Sequence, residues 1–186
     1  NISKSYITTK GKVTIFRNLS FSVPPDRNIA FIGRNGAGKS TMMRLIAGLD
    51  MPDKGKIITS GSISWPVGLS GGFQGSLTGR DNVKFVSRVY GAEGRQMKDI
   101  VQYVQDFAEI GDYFDQPIST YSSGMRSRVA FGLSLAFDFD YYLIDEAMST
   151  GDAHFRAKAK KAFQARISTS KIIMVTHSMG QVRSMC

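Results

Sequence analysis

Gly33-Arg34-Asn35-Gly36-Ala37-Gly38-Lys39-Ser40 is the stretch that decides the fold. It follows a short apolar run, Asn28 to Ile32, that reads as a buried strand, and it leads into Ser40 to Ala47, a helix closed by Gly48. Glycines at this spacing let consecutive backbone N–H groups turn inward around phosphate oxygens, and the start of the helix adds a partial positive charge. In this strand–loop–helix setting Arg34, Asn35, Ala37 and Thr41 complete the cradle. Lys39 is placed to reach β- and γ-phosphates and the Ser40 hydroxyl to bind Mg²⁺.

A phosphoryl-transfer site needs carboxylates at the end of another buried strand. Tyr141-Tyr142-Leu143-Ile144-Asp145-Glu146 supplies them. Asp145 is expected in the Mg²⁺ shell and Glu146 as the base that polarises the attacking water, since alternation along a strand aims neighbours at opposite sides.

Working outward, short apolar runs alternate with helix-period stretches, which predicts an α/β domain with a largely parallel sheet. Strands are expected at Phe16 to Val23, at Ile57-Ile58, at Ile63 to Trp65 and at Lys171 to Thr176, and a helix over Ala153 to Ile167. Gly68 to Gly79 reads as a loop, with five glycines in twelve residues. From Asp81 to Phe137 the pattern turns helical. The expected division is therefore a core of residues 1–80 and 138–186 and a helical subdomain of about 81–137, inserted within one domain.

Composition limits the remaining classes. The 186 residues suit one domain with an inserted lobe, and 42% hydrophobic content is too apolar for a disordered chain. The single cysteine, Cys186, excludes a disulfide framework, and with only His154 and His177 there is no zinc-type spacing. Val129 to Phe137 is a nine-residue apolar stretch, about half the ~20 needed to span a bilayer. No signal peptide is expected at the N-terminus, and the protein reads as soluble. The chain starts without Met and ends just after a strand-like run, so both ends, the C-terminal one above all, read as incomplete. The net charge of +9 is uneven: +8 over residues 1–80, −3 over 81–140 and +4 over 141–186. A basic nucleotide-binding core around an acidic helical insert suits ATP and an anionic membrane surface.

Between the helical insert and the acidic strand lies Tyr121-Ser122-Ser123-Gly124-Met125. Here the chain resembles the ABC transporter ATPases, whose LSGGQ signature it matches at Ser122 and Gly124, with Tyr, Ser and Met replacing Leu, Gly and Gln. The resemblance runs over essentially the whole chain and implies a P-loop NTPase core with a mixed or parallel sheet. It implies an adenine-stacking role for Tyr6. Ser149-Thr150-Gly151-Asp152 is similar to the D-loop, in which Asp152 communicates across a dimer. His177, after the last strand, matches the switch histidine at the γ-phosphate. Gln74 matches the glutamine that senses Mg²⁺ and the attacking water, although its loop is shorter than is usual in the family.

The run from Ser64 to Gly79, with Tyr121 to Met125 and Asp140 to Glu146, is similar to the ATP-binding subunits of bacterial capsular polysaccharide exporters. Teichoic acid and O-antigen exporters are the near alternatives. The resemblance implies a head-to-tail homodimer in which Ser122, Ser123 and Gly124 of one copy complete the site of the other. It implies ATP and Mg²⁺ as ligands, an integral membrane permease, periplasmic and outer-membrane export proteins beyond it, and a place on the cytoplasmic face of the inner membrane. Trp65, Phe73 and Phe85 are candidates for the groove that meets the permease. The alternative for them is core packing, which is favoured for Phe85 and evenly balanced for Phe73. An ABC-type ATPase acting on nucleic acid suits the +9 charge, but the coiled-coil or zinc insert usual in that class is missing, so no nucleic-acid partner is expected. A regulatory nucleotide-binding module without turnover is the third reading.

Overall fold

The computed structural model describes residues 1–186 apart from 26, 35, 68–71, 146–151, 177, 178 and 186 and the side chains of 181, 184 and 185. In chain order the elements are β1 (Ile2–Thr8), β2 (Gly11–Leu19), β3 (Ile29–Ile32), α1 (Lys39–Ile46), β4 (Ile63–Pro66), α2 (Gly79–Val89), α3 (Gly94–Ala108), two short 3-10 turns (Gly111–Asp115 and Ile118–Thr120), α4 (Ser123–Leu135), β5 (Tyr141–Asp145), α5 (Ala153–Ile167), β6 (Lys171–Thr176) and α6 (Met179–Met185). They form two compact units, one of residues 1–66, 139–146 and 167–186, the other of 67–138 and 147–166.

In the first unit a parallel sheet runs β3-β6-β5-β4. Its two central strands are apolar without alternation: Tyr142, Leu143 and Ile144, and Ile172 to Val175, are buried, as strands covered on both faces require. Met43 of α1 packs with Leu143, Ile173 and Val175. β4 is an edge strand that ends on Pro66, and its register with β5 slips there. The fully buried Ser64 bridges the slip, its Oγ accepting from the Leu143 amide at 2.9 Å.

β1 and β2 form an antiparallel hairpin. β2 starts at Gly11, earlier than the expected Phe16, because Gly11, Lys12, Val13 and Thr14 pair across the turn with β1, and it stops at Leu19. Ile57 and Ile58 lie in no strand, and Ile58 is largely exposed.

β1 is also pinned to the segment that follows α1. Lys4 is 7% exposed, and its Nζ donates to Asp50 Oδ1 and to the Met51 carbonyl, each at 2.7 Å. The Lys4 ammonium, then the Tyr6 hydroxyl and the Met51 amide, bring the Asp50 carboxyl down to about 2. A carboxyl depressed in the folded state contributes stability above its unfolded value of about 4, and that contribution fades as pH falls towards about 2. The urea midpoint is thus expected to drop between pH 4 and pH 2, and Asp50→Asn to remove this share of the drop while lowering the midpoint at pH 7.

In the second unit, Phe107 of α3 stacks on Phe131 of α4 at 5.9 Å and meets Phe155 of α5 edge-on at 5.6 Å, and Phe163 continues the cluster from Phe131. Phe155, Ala159 and Phe163 form an i, i+4, i+8 stripe, all buried. That stripe places α5 with the helical unit, where the sequence reading puts residues 153–167 in the core; residues 67–80 join the same unit. Phe85 is 56% exposed, against the core position favoured from sequence. Trp65 instead packs edge-on to Phe139 at 5.5 Å, and Phe73 is half-buried.

Candidate functional site

The loop after β3 has the geometry its glycines predict. Gly36 and Gly38 adopt φ of 82° and 89°, left-handed values at which a side chain is strained. Gly38 is doubly constrained, since a Cβ there would lie 2.6 Å from Ile15 Cγ2 and 2.9 Å from Phe16 Cζ. The Ala37 amide donates to the Arg34 carbonyl at 3.2 Å, so the loop curls back on itself. Lys39 Nζ sits on that curl, donating to the carbonyls of Gly33 at 2.7 Å and Arg34 at 3.0 Å. No side chain caps α1 and no acid lies in its first turn, which leaves the positive end of the helix for an anion.

These features fit a triphosphate: two glycines free of side chains, an uncapped helix start, and an ammonium held by carbonyls that it can leave. Ser40 is exposed beside them, and Thr41 and the half-buried Asp145 belong to the same unit. A hydroxyl and a carboxylate completed by phosphate oxygens suit Mg²⁺, a hard ion that takes few protein ligands. Among the described residues no cluster of three or more His, Cys, Asp or Glu could hold a metal by itself. Asn35, Glu146, Ser149 to Gly151 and His177 lie outside the described residues.

Tyr6 lies half-buried on β1, with its hydroxyl donating to Asp50 Oδ2 at 2.7 Å and Lys4 Nζ 5.0 Å from its ring centroid.

In the second unit, Ser122 caps α4, its Oγ accepting from the Met125 amide at 3.2 Å. Ser123 is exposed, and a Cβ on Gly124 would meet nothing nearer than Ser122 Oγ at 3.8 Å, so the helix start is open to an approaching ligand. Ser122, Gly124, Met125, Arg128, Tyr113 and Asp152 help line a cavity of about 360 Å³. Asp152 caps α5, its Oδ1 accepting from the Phe155 amide at 2.9 Å, and Oδ2 pairs with Arg128. The Phe155 amide, followed by the Arg128 charge, holds the Asp152 carboxyl below the usual range. Arg128 also donates to the Ala108 carbonyl and lies over the Phe155 ring.

Gln74 has an exposed side chain, but its backbone is locked by Asn82: Oδ1 accepts from the Gln74 amide at 2.7 Å, and Nδ2 donates to the carbonyls of Gln74, Leu77 and Thr78. Asn82, Arg128, Lys4 and Asp50 were not singled out from the sequence as site residues. The accessible signal for Asn82 was an amide in the first turn of a helix, where such a side chain can bind the preceding loop.

Strand, glycine loop and uncapped helix together define a P-loop nucleotide-binding domain. A family model described as ABC transporter matches residues 16–149. The polysialic acid transport ATP-binding protein KpsT of Escherichia coli is 55% identical over 186 residues, all of this chain and 83% of that protein. The capsule polysaccharide export ATP-binding protein CtrD of Neisseria meningitidis is 43% identical, again over all of this chain and 85% of that protein. A teichoic acids export ATP-binding protein, TagH of Bacillus cereus, is 40% identical over 91% of this chain but 31% of its own length. In fold, the chain matches the dimeric, ADP- and Pi-bound ATP-binding cassette MJ0796 with a TM-score of 0.75 at 20% identity, over 98% of this chain and 88% of that one. The chain belongs to the ABC transporter family as one of its ATPase domains. Its similarity to capsule-export ATPases is closer than to the teichoic acid exporter.

Proposed function

We propose that this chain is the ATP-binding and hydrolysing subunit of a capsular polysaccharide exporter. It works as a head-to-tail pair on an integral membrane permease at the cytoplasmic face of the bacterial inner membrane, and the lipid-anchored polymer passes through the permease without touching it. The observation that carries this reading is 55% identity to KpsT along every residue of the chain. Periplasmic and outer-membrane export proteins would complete the wider assembly.

Lys39 and the amides of residues 33–41 bind the phosphates. Ser40 and Asp145, with Gln74, would hold Mg²⁺, which neutralises charge developing on the phosphoryl oxygens. Glu146 takes a proton from the attacking water, and His177 reads the γ-phosphate. Tyr6 carries the adenine. Ser122, Ser123 and Gly124 of one copy present the start of α4, a second positive helix end, to the γ-phosphate held by the other. ATP thereby joins the copies, and hydrolysis releases them. Among the described residues no helix is long and apolar enough to cross a membrane, which suits a subunit attached through its partner.

Expression in an Escherichia coli strain lacking KpsT is expected to restore surface polysaccharide, with the protein co-purifying with the permease in detergent. No restoration and no permease, together with submicromolar, salt-dependent DNA binding, would replace this reading with the nucleic-acid one.

A further inference from the structure

A lysine at 7% exposure is unusual and needs partners. The group around Lys4 does more than neutralise it. Asp50 accepts from three donors: Lys4 Nζ at 2.7 Å, the Met51 amide at 2.8 Å and the Tyr6 hydroxyl at 2.7 Å. The backbone leading into Tyr6 is fixed to the same segment, because the Ser3 amide donates to the Lys54 carbonyl, the Asp53 amide to the Ser3 carbonyl, and the Ser5 amide to Asp53 Oδ2. Lys4 Nζ stands over the Tyr6 ring, 5.0 Å from its centroid. The ring is thus held at its main chain, at its hydroxyl and on one face.

We infer that Lys4 and Asp50 are positioning residues that turn Tyr6 into a one-faced platform, locking the phenol by its hydroxyl and covering one face so that a planar base can stack only on the other. This rests on the reading of Tyr6 as the adenine platform. A phenol bound to a carboxylate is a charge-assisted contact and loses little freedom when a base arrives, so ordering the ring is not charged against ligand affinity. A ring freed from Asp50 would still stack, but would first have to be ordered.

The full chain with Mg²⁺ is titrated with ATP and, separately, with inorganic tripolyphosphate, which offers the phosphates without a base. Tyr6→Ala is expected to weaken ATP about tenfold and leave tripolyphosphate unchanged. Tyr6→Phe keeps the ring but removes its tie, and Asp50→Asn leaves only an uncharged acceptor for the phenol and none of the pull on Lys4; each is expected to weaken ATP, about threefold for Tyr6→Phe and up to that for Asp50→Asn, again with tripolyphosphate unchanged. If Tyr6→Ala weakens ATP while Tyr6→Phe and Asp50→Asn both match the parent, the platform stands and the positioning proposal is overturned. Equal weakening of both ligands would mark general structural damage and would also overturn it. Tyr6→Phe decides the matter should Asp50→Asn fail to fold. Unchanged ATP affinity in Tyr6→Ala would remove the platform reading itself, and the inference with it.

Discussion

Lys39→Ala is expected to lower ATP affinity about 100-fold, and Glu146→Gln to leave affinity intact while cutting hydrolysis by about 10²- to 10⁴-fold. The two losses differ because the residues act at different stages. Lys39 Nζ rests on the carbonyls of Gly33 and Arg34, which water can satisfy in its absence, so alanine should leave folding almost untouched. What it removes is the ammonium of a phosphate loop whose other phosphate donors are neutral amides, and a hydrogen bond to a charged group is worth about 1.5–3 kcal/mol. Glu146→Gln keeps size and polarity at the position that follows Asp145 in sequence but cannot take a proton from water. ATP should then stay bound and hold two copies together, which size-exclusion chromatography with ATP would reveal as a dimer. Isothermal titration and phosphate release complete the measurement. A Glu146→Gln protein that hydrolyses ATP at the parent rate would favour a nucleotide-binding module in which this carboxylate has no catalytic part.

What could be read from the sequence is what local pattern determines. The strand before Gly33, the helix Ala153–Ile167 and the strand Lys171–Thr176 follow from runs of one period, and the structure has them at or near the expected bounds. The partners of those runs are another matter. A Phe155, Ala159, Phe163 stripe predicts a buried helix face but not whether a sheet or other helices cover it, and here Phe107 and Phe131 do. Phe85 shows the converse, since an apolar residue at helix spacing is buried only where a neighbour exists to cover it. Side-chain pairs distant in sequence were equally out of reach: Lys4 and Asp50 are 46 residues apart and Arg128 and Asp152 are 24 apart. Of the site, the phosphate loop was legible because a backbone nest depends on residues adjacent in the chain. The devices that hold Tyr6 and Asp152 in place were not, because they are made by folding.

Gly79→Ala should be the most damaging single methyl in the helical unit. Gly79 is the buried first residue of α2, and a Cβ there would lie 2.3 Å from Tyr121 Oη, 3.0 Å from the Phe114 carbonyl oxygen and 3.2 Å from Phe114 Cδ2. Two of these neighbours cannot swing away: one is backbone, and Tyr121 is 3% exposed. Overpacking of this kind costs about 1–3 kcal/mol. The Tyr121 hydroxyl is buried against the Gly79 amide and makes no hydrogen bond of good geometry among the described residues, so Tyr121→Phe should be nearly neutral or mildly stabilising. In the double variant the shortest clash disappears while the Phe114 carbonyl remains, and roughly half of the lost stability should return. Urea unfolding of the four proteins gives that coupling directly. Activity should follow stability here, because this packing connects two functional segments of one unit. The Ile118 amide donates to the Leu77 carbonyl at 2.9 Å and the Ser119 amide to the Gly75 carbonyl at 3.0 Å, which joins the Gln74 turn to the residues just before Ser122. Displacing Tyr121 therefore moves the cap of α4 relative to the turn that carries Gln74. Gly79→Ala should lower the hydrolysis rate at saturating ATP more than it changes ATP affinity, with Tyr121→Phe restoring part of it. A Gly79→Ala protein with parental stability and rate would mean that the slot is looser than 2.3 Å implies and that the two segments are not mechanically joined through it.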